Sequence, residues 1–268
     1  MKKYARSLHA RCSAGTTSDD RFMPTGYGTV FSKMKRLVLT EKLDGQNNCL
    51  NKDGVFARSH AAPSALPWDK PLWERWNLIK NDLKDLEIFG ENMYGVHSIA
   101  YSKLESYFYV FAIREKGYWL SWDAVKFYAS LLDFPVVPEI PVKYSLKDSL
   151  LSSQNEDEAV AHWLAQNLGM PWEKSVKLSG KLGGYDPKDG KPCSEGFVIR
   201  NAEGFYTNNG ILPVQHNEFD SLFKVVRKGH VKTDKHWTRN WKPATLTNYE
   251  RYGWHAYQYL SKTSFNRS

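Results

Sequence analysis

Apolar residues along this chain fall mostly into short continuous or alternating runs, broken by a few stretches of helical spacing. Leu37-Val38-Leu39 is one such run, and it reads as a buried strand. The polar stretch Glu41-Lys42-Leu43-Asp44-Gly45-Gln46-Asn47 follows it, with Asp44-Gly45 as a strong turn signal. Cys49-Leu50 and Val55-Phe56-Ala57-Arg58 read as strands joined by a hairpin turn at Asn51-Lys52-Asp53-Gly54. Further strands are predicted over Leu86–Glu91, Tyr107–Ile113, Gly196–Arg200 and Phe219–Val226, with Tyr118-Trp119-Leu120 pairing with the second of these. Apolar positions 72, 73, 76, 79, 83 and 86 predict a helix over Leu72–Leu86. Trp122–Leu132 and Glu156–Leu168 are also expected to be helical, the latter stopped by Gly169 and Pro171. Pro63–Pro71 reads as a proline-punctuated loop, Pro135–Pro138 as a short extended piece, and Gly180–Gly190 as a loop holding four glycines. Strand-rich segments with scattered helices predict an α+β fold whose antiparallel sheets form a cleft.

Residues 1 to 34 are polar and rich in Gly, Ser and Thr, and they carry no readable function. Composition changes the picture in three places. The net charge of +8 and pI near 9.2 suit a polyanionic partner, although a merely basic surface fits them too. Ten Trp, 15 Tyr and 13 Phe exceed core needs and leave aromatics for stacking on bases. The cysteines, Cys12, Cys49 and Cys193, show no Cys-x-x-Cys spacing, so neither a disulfide framework nor a zinc site is expected. No apolar run approaches signal-peptide or membrane-spanning length, and the expected setting is a reducing cytoplasm, or a host cytoplasm for a phage gene. After Val226 the balance turns basic. Lys224, Arg227, Lys228, Lys232, Lys235, Arg239 and Lys242 face one acid, Asp234, with Trp237 and Trp241 interleaved. Thr247 and Glu250 form a capping-box pair for a terminal helix running to about Leu260. The expected division is residues 1–226 as the main domain and 227–268 as a short basic, aromatic extension.

The candidate chemistry centres on Lys42. A lysine at a strand end is pinned by the sheet yet close to solvent. It becomes a nucleophile only when neutral, which calls for a pKa depressed by partial burial or by neighbouring positive charge. The alternative is a solvated lysine in a hairpin turn. Phe89-Gly90-Glu91-Asn92, Tyr109-Val110-Phe111, Glu195-Gly196-Phe197-Val198-Ile199-Arg200 and Phe223-Lys224-Val225-Val226 follow in order. With Lys42-Leu43-Asp44-Gly45, this series resembles the collinear motifs of the covalent nucleotidyltransferases, the polynucleotide ligases and mRNA capping enzymes. It is most similar to the RNA ligase family of the second T-even phage type, over roughly residues 35 to 230.

The resemblance implies a ligase-type nucleotidyltransferase (adenylation) domain that uses ATP with Mg²⁺ or Mn²⁺. Lys42 would take AMP, pass it to a 5′-phosphate on RNA, and allow a 3′-hydroxyl to displace it. Glu41 matches the position that contacts adenine, and Asn47 an asparagine needed for the reaction; a solvated acid and a turn residue are the respective alternatives. Arg58 matches the arginine that handles ribose and phosphate, Glu91 the carboxylate on the ribose hydroxyl, and Phe111 the aromatic on the purine. Such stacking is worth about 1–3 kcal/mol, while ordinary core is the other reading of Phe111. Val198 would press the other face of the base. Glu195 matches the carboxylate that engages the metal, and Lys224 the first lysine of the final motif, which contacts the α-phosphate. The second lysine of that motif is absent, since Val226 stands there, and Arg227 or Lys228 would substitute. Arg227, Lys228, Lys232, Lys235 and Trp237 would hold nucleic acid, with phosphate neutralisation and stacking combined.

Two rival readings stand beside this one. A DNA ligase of the same superfamily usually appends an OB-fold of some hundred residues, and the 42 residues after Val226 are too few for that barrel. A non-catalytic nucleic-acid binder would need neither Glu91 nor Glu195. The expected partner is therefore a pair of RNA ends, with no membrane and a monomeric protein.

Overall fold

Strand β2, Leu37–Lys42, extends the predicted apolar run through Thr40 and Glu41, both buried. It runs between β11 (Gly196–Asn201) and β9 (Glu139–Ile140) in a five-stranded sheet that β13 (Leu222–Val226) and β1 (Leu8–His9) complete in the order β1-β13-β11-β2-β9. The computed structural model that shows this describes residues 4, 7–16, 20–58, 62–207, 221–229 and 241–247. Pairing is antiparallel except between β1 and β13, which are parallel.

Register divides this sheet into two faces, because side chains alternate along a strand. Leu39, Ile199 and Phe223 form one cross-strand row, and Phe197 and Val225 lie in the next row on that face. Over them pack α1 (Tyr27–Ser32), α4 (Leu146–Ser152), α5 (Glu156–Leu168) and α6 (Trp172–Ser175), through Phe31, Val160, Trp163, Leu164 and Trp172. Each such buried side chain contributes about 1.5–3 kcal/mol. The opposite face carries the row Thr40, Val198, Lys224 and His9. Lys42, two residues past Thr40, lies on this face too.

The second sheet is antiparallel throughout, in the order β12 (Phe205–Tyr206), β8 (Tyr118–Trp119), β7 (Phe108–Glu115), β5 (Leu86–Asn92), β3 (Gln46–Asn51) and β4 (Gly54–Ala57). The largest core packs it against α2 (Lys70–Ile79) and α3 (Trp122–Leu131), with Leu50, Val55, Ile88, Val110 and Ile113 meeting Leu72, Ile79, Trp122 and Val125. Its other face buries Cys49, Phe56, Phe89, Ala112 and Trp119. A two-stranded ribbon joins β6 (Ala100–Tyr101) to β10 (Gly184–Tyr185), the latter inside the segment expected to be loop.

The helical period read over Leu72–Leu86 gives a helix only to Ile79. A turn follows, and Lys84 takes φ 48, so Leu83 and Leu86 reach the core from outside the helix. Helix α5 ends as expected, at Gly169 with φ 73, a conformation that glycine adopts at little cost. After Val226 the chain returns to the body of the domain. Segment 241–247 bridges to residues 95 and 104, Trp241 packs on Trp68 and Tyr94 at 5.9 and 5.7 Å, and Leu246 joins the largest core. The predicted terminal helix lies outside the described residues beyond Thr247. No described helix is long and apolar enough to cross a membrane.

Candidate active site

The chain leaves the first sheet and enters the second within Leu43–Gly45, and this crossing fixes Lys42 at the end of β2. Gly45 is required there, because a Cβ would lie 2.5 Å from the Asn92 carbonyl oxygen. Its N–H donates to Glu91 Oε1 at 3.0 Å. Asp44 ties the crossing to β6, its N–H donating to Tyr101 Oη at 2.9 Å and its Oδ2 accepting from Ile99 N–H at 2.8 Å. Lys42 pairs in register with Gly196, so Glu195 arrives beside it, and Nζ lies 2.6 Å from Glu195 Oε1. The Lys42 side chain keeps 24% exposure against 6% for Glu195, enough for a substrate to reach the amine.

The electrostatics depart from the sequence-based expectation of a depressed lysine. Burial pulls the Lys42 ammonium down, but Glu195, Glu91 and Asp44 together outweigh it and hold the pKa above the ordinary value. Burial drives Glu91 the other way, to about 7, with Lys42 opposing and Glu195 adding to the rise. Lys224 has a lowered pKa, through burial and repulsion from Lys42, although Asp20 and Glu195 counteract both. The unliganded site thus keeps its nucleophile candidate protonated inside a nest of carboxylates.

Next to this ion pair is a cavity of about 110 Å³ lined by Thr40, Glu41, Lys42, Asn47, Glu91, Phe111 and Val198. Six of the residues singled out from sequence therefore converge on one space. Phe111 and Val198 come from different sheets and are half-buried, so the cavity has an apolar wall on each side. Glu41 falls in the cross-strand row of Phe197 and Val225, the face opposite Lys42, and its Oε1 accepts from Lys181 N–H at 2.7 Å. Arg58 lies just past β4 and is not among the residues lining this cavity. Lys224 lies one row from Lys42 on the same face, its Nζ 3.6 Å from Asp20. Arg227 and Lys228 line a separate, wider cavity of about 490 Å³ with Trp172, Lys177 and Cys193. That space is open and mixed in charge, with Glu173, Asp186 and Asp189 also on its walls. Lys232, Lys235 and Trp237 lie outside the described residues.

Sequence reading missed several residues at the site. Thr40 and Arg200 stand two positions from Lys42 and Val198 on the same faces, a period that would have found them. Arg200 is buried, donates to the Phe111 and Leu120 carbonyls at 3.2 and 3.1 Å, and is pulled down to about 10 by burial. Tyr4 and Ser7 also line the cavity, from a segment without any hydrophobic period.

Among the described residues, no three His, Cys, Asp or Glu side chains form a ready metal cage. The donor set still suits a hard cation, which takes oxygen ligands and fills much of its shell with phosphate and water. Glu195 supplies a carboxylate, and Asn47 Oδ1 on the cavity wall is buried without a hydrogen-bond partner.

No curated protein is a significant match to the chain. Solved structures similar to it include an archaeal ATP-dependent RNA ligase, at 12% identity and TM-score 0.46 over 85% of this chain and 48% of that one. An RNA ligase variant of Naegleria gruberi with ATP and Mn has 14% identity and TM-score 0.39, over 85% of this chain and 60% of that one. A protein assigned as an ATP-dependent DNA ligase from Aquifex aeolicus has 13% identity and TM-score 0.44, over 85% and 50%. The chain spans about half the length of the first of these. A model of the RNA ligase family matches residues 35–226, the stretch that holds the Lys42 site and every strand of the two sheets except β1, so the chain belongs to the RNA ligase family.

Proposed function

We propose that this protein is an ATP-dependent RNA ligase that works through a covalent adenylate on Lys42. The observation that carries the reading is the Lys42–Glu195 pair at 2.6 Å, set at the wall of a cavity that Glu91, Phe111 and Val198 also line. The purine would lie between Phe111 and Val198, and Glu91 would meet a ribose hydroxyl. The Lys42 ammonium first gives up a proton to water, and the neutral Nζ then attacks the α-phosphorus in line. A nitrogen–phosphorus bond forms, the bond to pyrophosphate breaks, and a second proton leaves the nitrogen for solvent. In the second step a 5′-phosphate oxygen of RNA displaces Lys42, leaving AMP on the RNA end. A 3′-hydroxyl then attacks that phosphate and releases AMP.

Glu195, with phosphate oxygens and water, would hold Mg²⁺ or Mn²⁺. The ion would neutralise charge on the phosphates and take up the negative charge that now holds the Lys42 proton. Lys224, on the same face, supplies a cation for the α-phosphate. Arg227 and Lys228, with Lys232, Lys235 and Trp237 beyond them, are assigned to the RNA backbone, where cations neutralise phosphates and release counterions.

The test is sealing of matched RNA and DNA substrates, nicked and single-stranded, by purified protein with ATP and Mg²⁺. The reading expects joining that requires RNA on at least one side of the break. Equal or better sealing of all-DNA nicks would make it a DNA ligase, and no AMP transfer at all would leave a nucleic-acid binder.

A further inference from the structure

The N-terminal segment holds a chain of contacts that begins and ends on β13. Val226 N–H donates to Ser13 Oγ at 2.9 Å, and Ser13 Oγ lies 2.9 Å from His9 Nδ1. On the other side of the ring, His9 Nε2 lies 3.2 Å from Asp20 Oδ1, and the same oxygen is 3.6 Å from Lys224 Nζ. Nε2 lies against the Asp20 carboxylate without the alignment of a hydrogen bond, and Ser13 Oγ, which also reaches the Val226 carbonyl at 3.4 Å, holds the ring from its Nδ1 side. His9 is buried to 1% exposure, with a pKa pushed down to about 4 mainly by burial, so its neutral form is the working one. The backbone fixes both ends of this link. Ala10 N–H donates to the Lys224 carbonyl at 2.9 Å, His9 N–H to the Arg21 carbonyl at 2.8 Å, and Met23 N–H to the His9 carbonyl at 2.7 Å. His9 is the register partner of Lys224, in the row that continues through Val198 to Thr40 on the cavity wall.

An exposed lysine would sample many rotamers, and a surface ion pair would do little to stop it. Here the Lys224 and Asp20 side chains keep only 15% and 17% exposure, so the pair is largely out of solvent and weakly screened. Asp20 is itself backed by the buried His9 ring, with Oδ1 3.2 Å from Nε2. We propose that Asp20, packed against the buried His9 ring, positions the Lys224 ammonium for phosphate, so that the N-terminal segment is part of the adenylation machinery. Asp20 and His9 act through Lys224 and are positioning residues. This rests on the reading of Lys224 as the cation on the α-phosphate.

Single-turnover transfer of AMP from labelled ATP to the full-length protein is the test, run on wild type, Asp20→Ala, Asp20→Asn, Lys224→Ala and the Asp20→Ala/Lys224→Ala double variant. Misplacing a catalytic group by an ångström costs up to about 100-fold in rate, so Asp20→Ala should slow transfer about 10- to 100-fold, with the ATP concentration at half-maximal rate changed far less. In the Lys224→Ala background the same change should cost nothing further, because its effect passes through that ammonium. Equal losses in both backgrounds, or no loss from Asp20→Ala, would overturn the proposal and leave the Lys224 assignment standing. Wild-type transfer by Lys224→Ala would remove that assignment, and the positioning role with it. If Asp20→Ala does not fold, Asp20→Asn, which fills the same space without the charge, decides by the same coupling.

Discussion

The strand pair β3 and β5 serves two groups of buried carboxylates, one on each side, and they are wired in opposite ways. Asp69, with no exposed surface, accepts from Asn48 Nδ2 at 3.1 Å, Gln46 Nε2 at 3.1 Å, Asn92 Nδ2 at 2.9 Å and the Ser64 hydroxyl. Every donor there is neutral. Burial raises the Asp69 pKa, and these four hydrogen bonds oppose the rise. Asn47 and Glu91 are register partners that alternate with those residues and line the cavity beside Lys42 instead. Glu91 and Glu195 instead share a charged neighbour, Lys42, whose ammonium lies 2.6 Å from Glu195 Oε1. A carboxylate saturated by fixed neutral donors bolts a structure together, whereas carboxylates set around a charged, partly exposed lysine keep capacity for a ligand.

Removing the bolt should have the largest effect. Asp69→Ala leaves three amides and a hydroxyl buried without their acceptor, and the expected loss is about 3–5 kcal/mol of stability. Urea denaturation measures it; a loss under about 1 kcal/mol would show that Asp69 is dispensable and the contrast misplaced. Glu195→Ala should leave a folded protein with AMP transfer lowered about 100- to 1000-fold, and with ATP affinity changed much less. Quench-flow labelling together with equilibrium ATP binding separates the two quantities. A parallel fall in both would make Glu195 a binding residue only.

The contrast also explains what was legible in the sequence. Lys42, Glu91, Phe111, Val198 and Glu195 stand in or beside strands whose apolar runs and turn residues place them, so their convergence could be anticipated. Asp69 sat in a stretch read only as a proline-punctuated loop, and nothing local marks it as the acceptor for three amides on two strands. His9 and Asp20 were illegible for another reason. Strand β1 has two residues, too few for any period, and its partner β13 is more than 200 positions away in the chain. The helix expected to reach Leu86 stopped at Ile79, because a turn delivers Leu83 and Leu86 to the same core that a longer helix would have served.

His9 offers a pH test of a third kind of burial, that of a neutral base. Its folded pKa of about 4 lies below the ordinary 6.5, so between these values the unfolded chain binds more protons than the native one. Stability should therefore fall as pH drops from 6.5 to 4 and level off above 6.5, with up to about 3 kcal/mol from this group. Thermal melts across that range should show a shallower acid limb in His9→Leu; an unchanged limb would show that His9 is not the titrating group. The smallest effect is expected from Glu91→Gln. Glu91 titrates near 7 when folded, above the ordinary 4.5, so stability falls as pH rises from 4.5 to 7 and levels off above 7. The variant should melt a few degrees higher than wild type at pH 8 and yet transfer AMP more slowly. A lower melting temperature at pH 8 would show that the Glu91 charge is satisfied by Lys42 and carries no strain.

The central claim is that Lys42 is the residue that takes AMP. Full-length protein incubated with ATP and Mg²⁺, digested without acid and read by peptide mass spectrometry, answers it directly. One added AMP on the peptide containing Lys42, absent from Lys42→Ala, is the predicted result. An adduct on another peptide, or one that survives in folded Lys42→Ala, would contradict it.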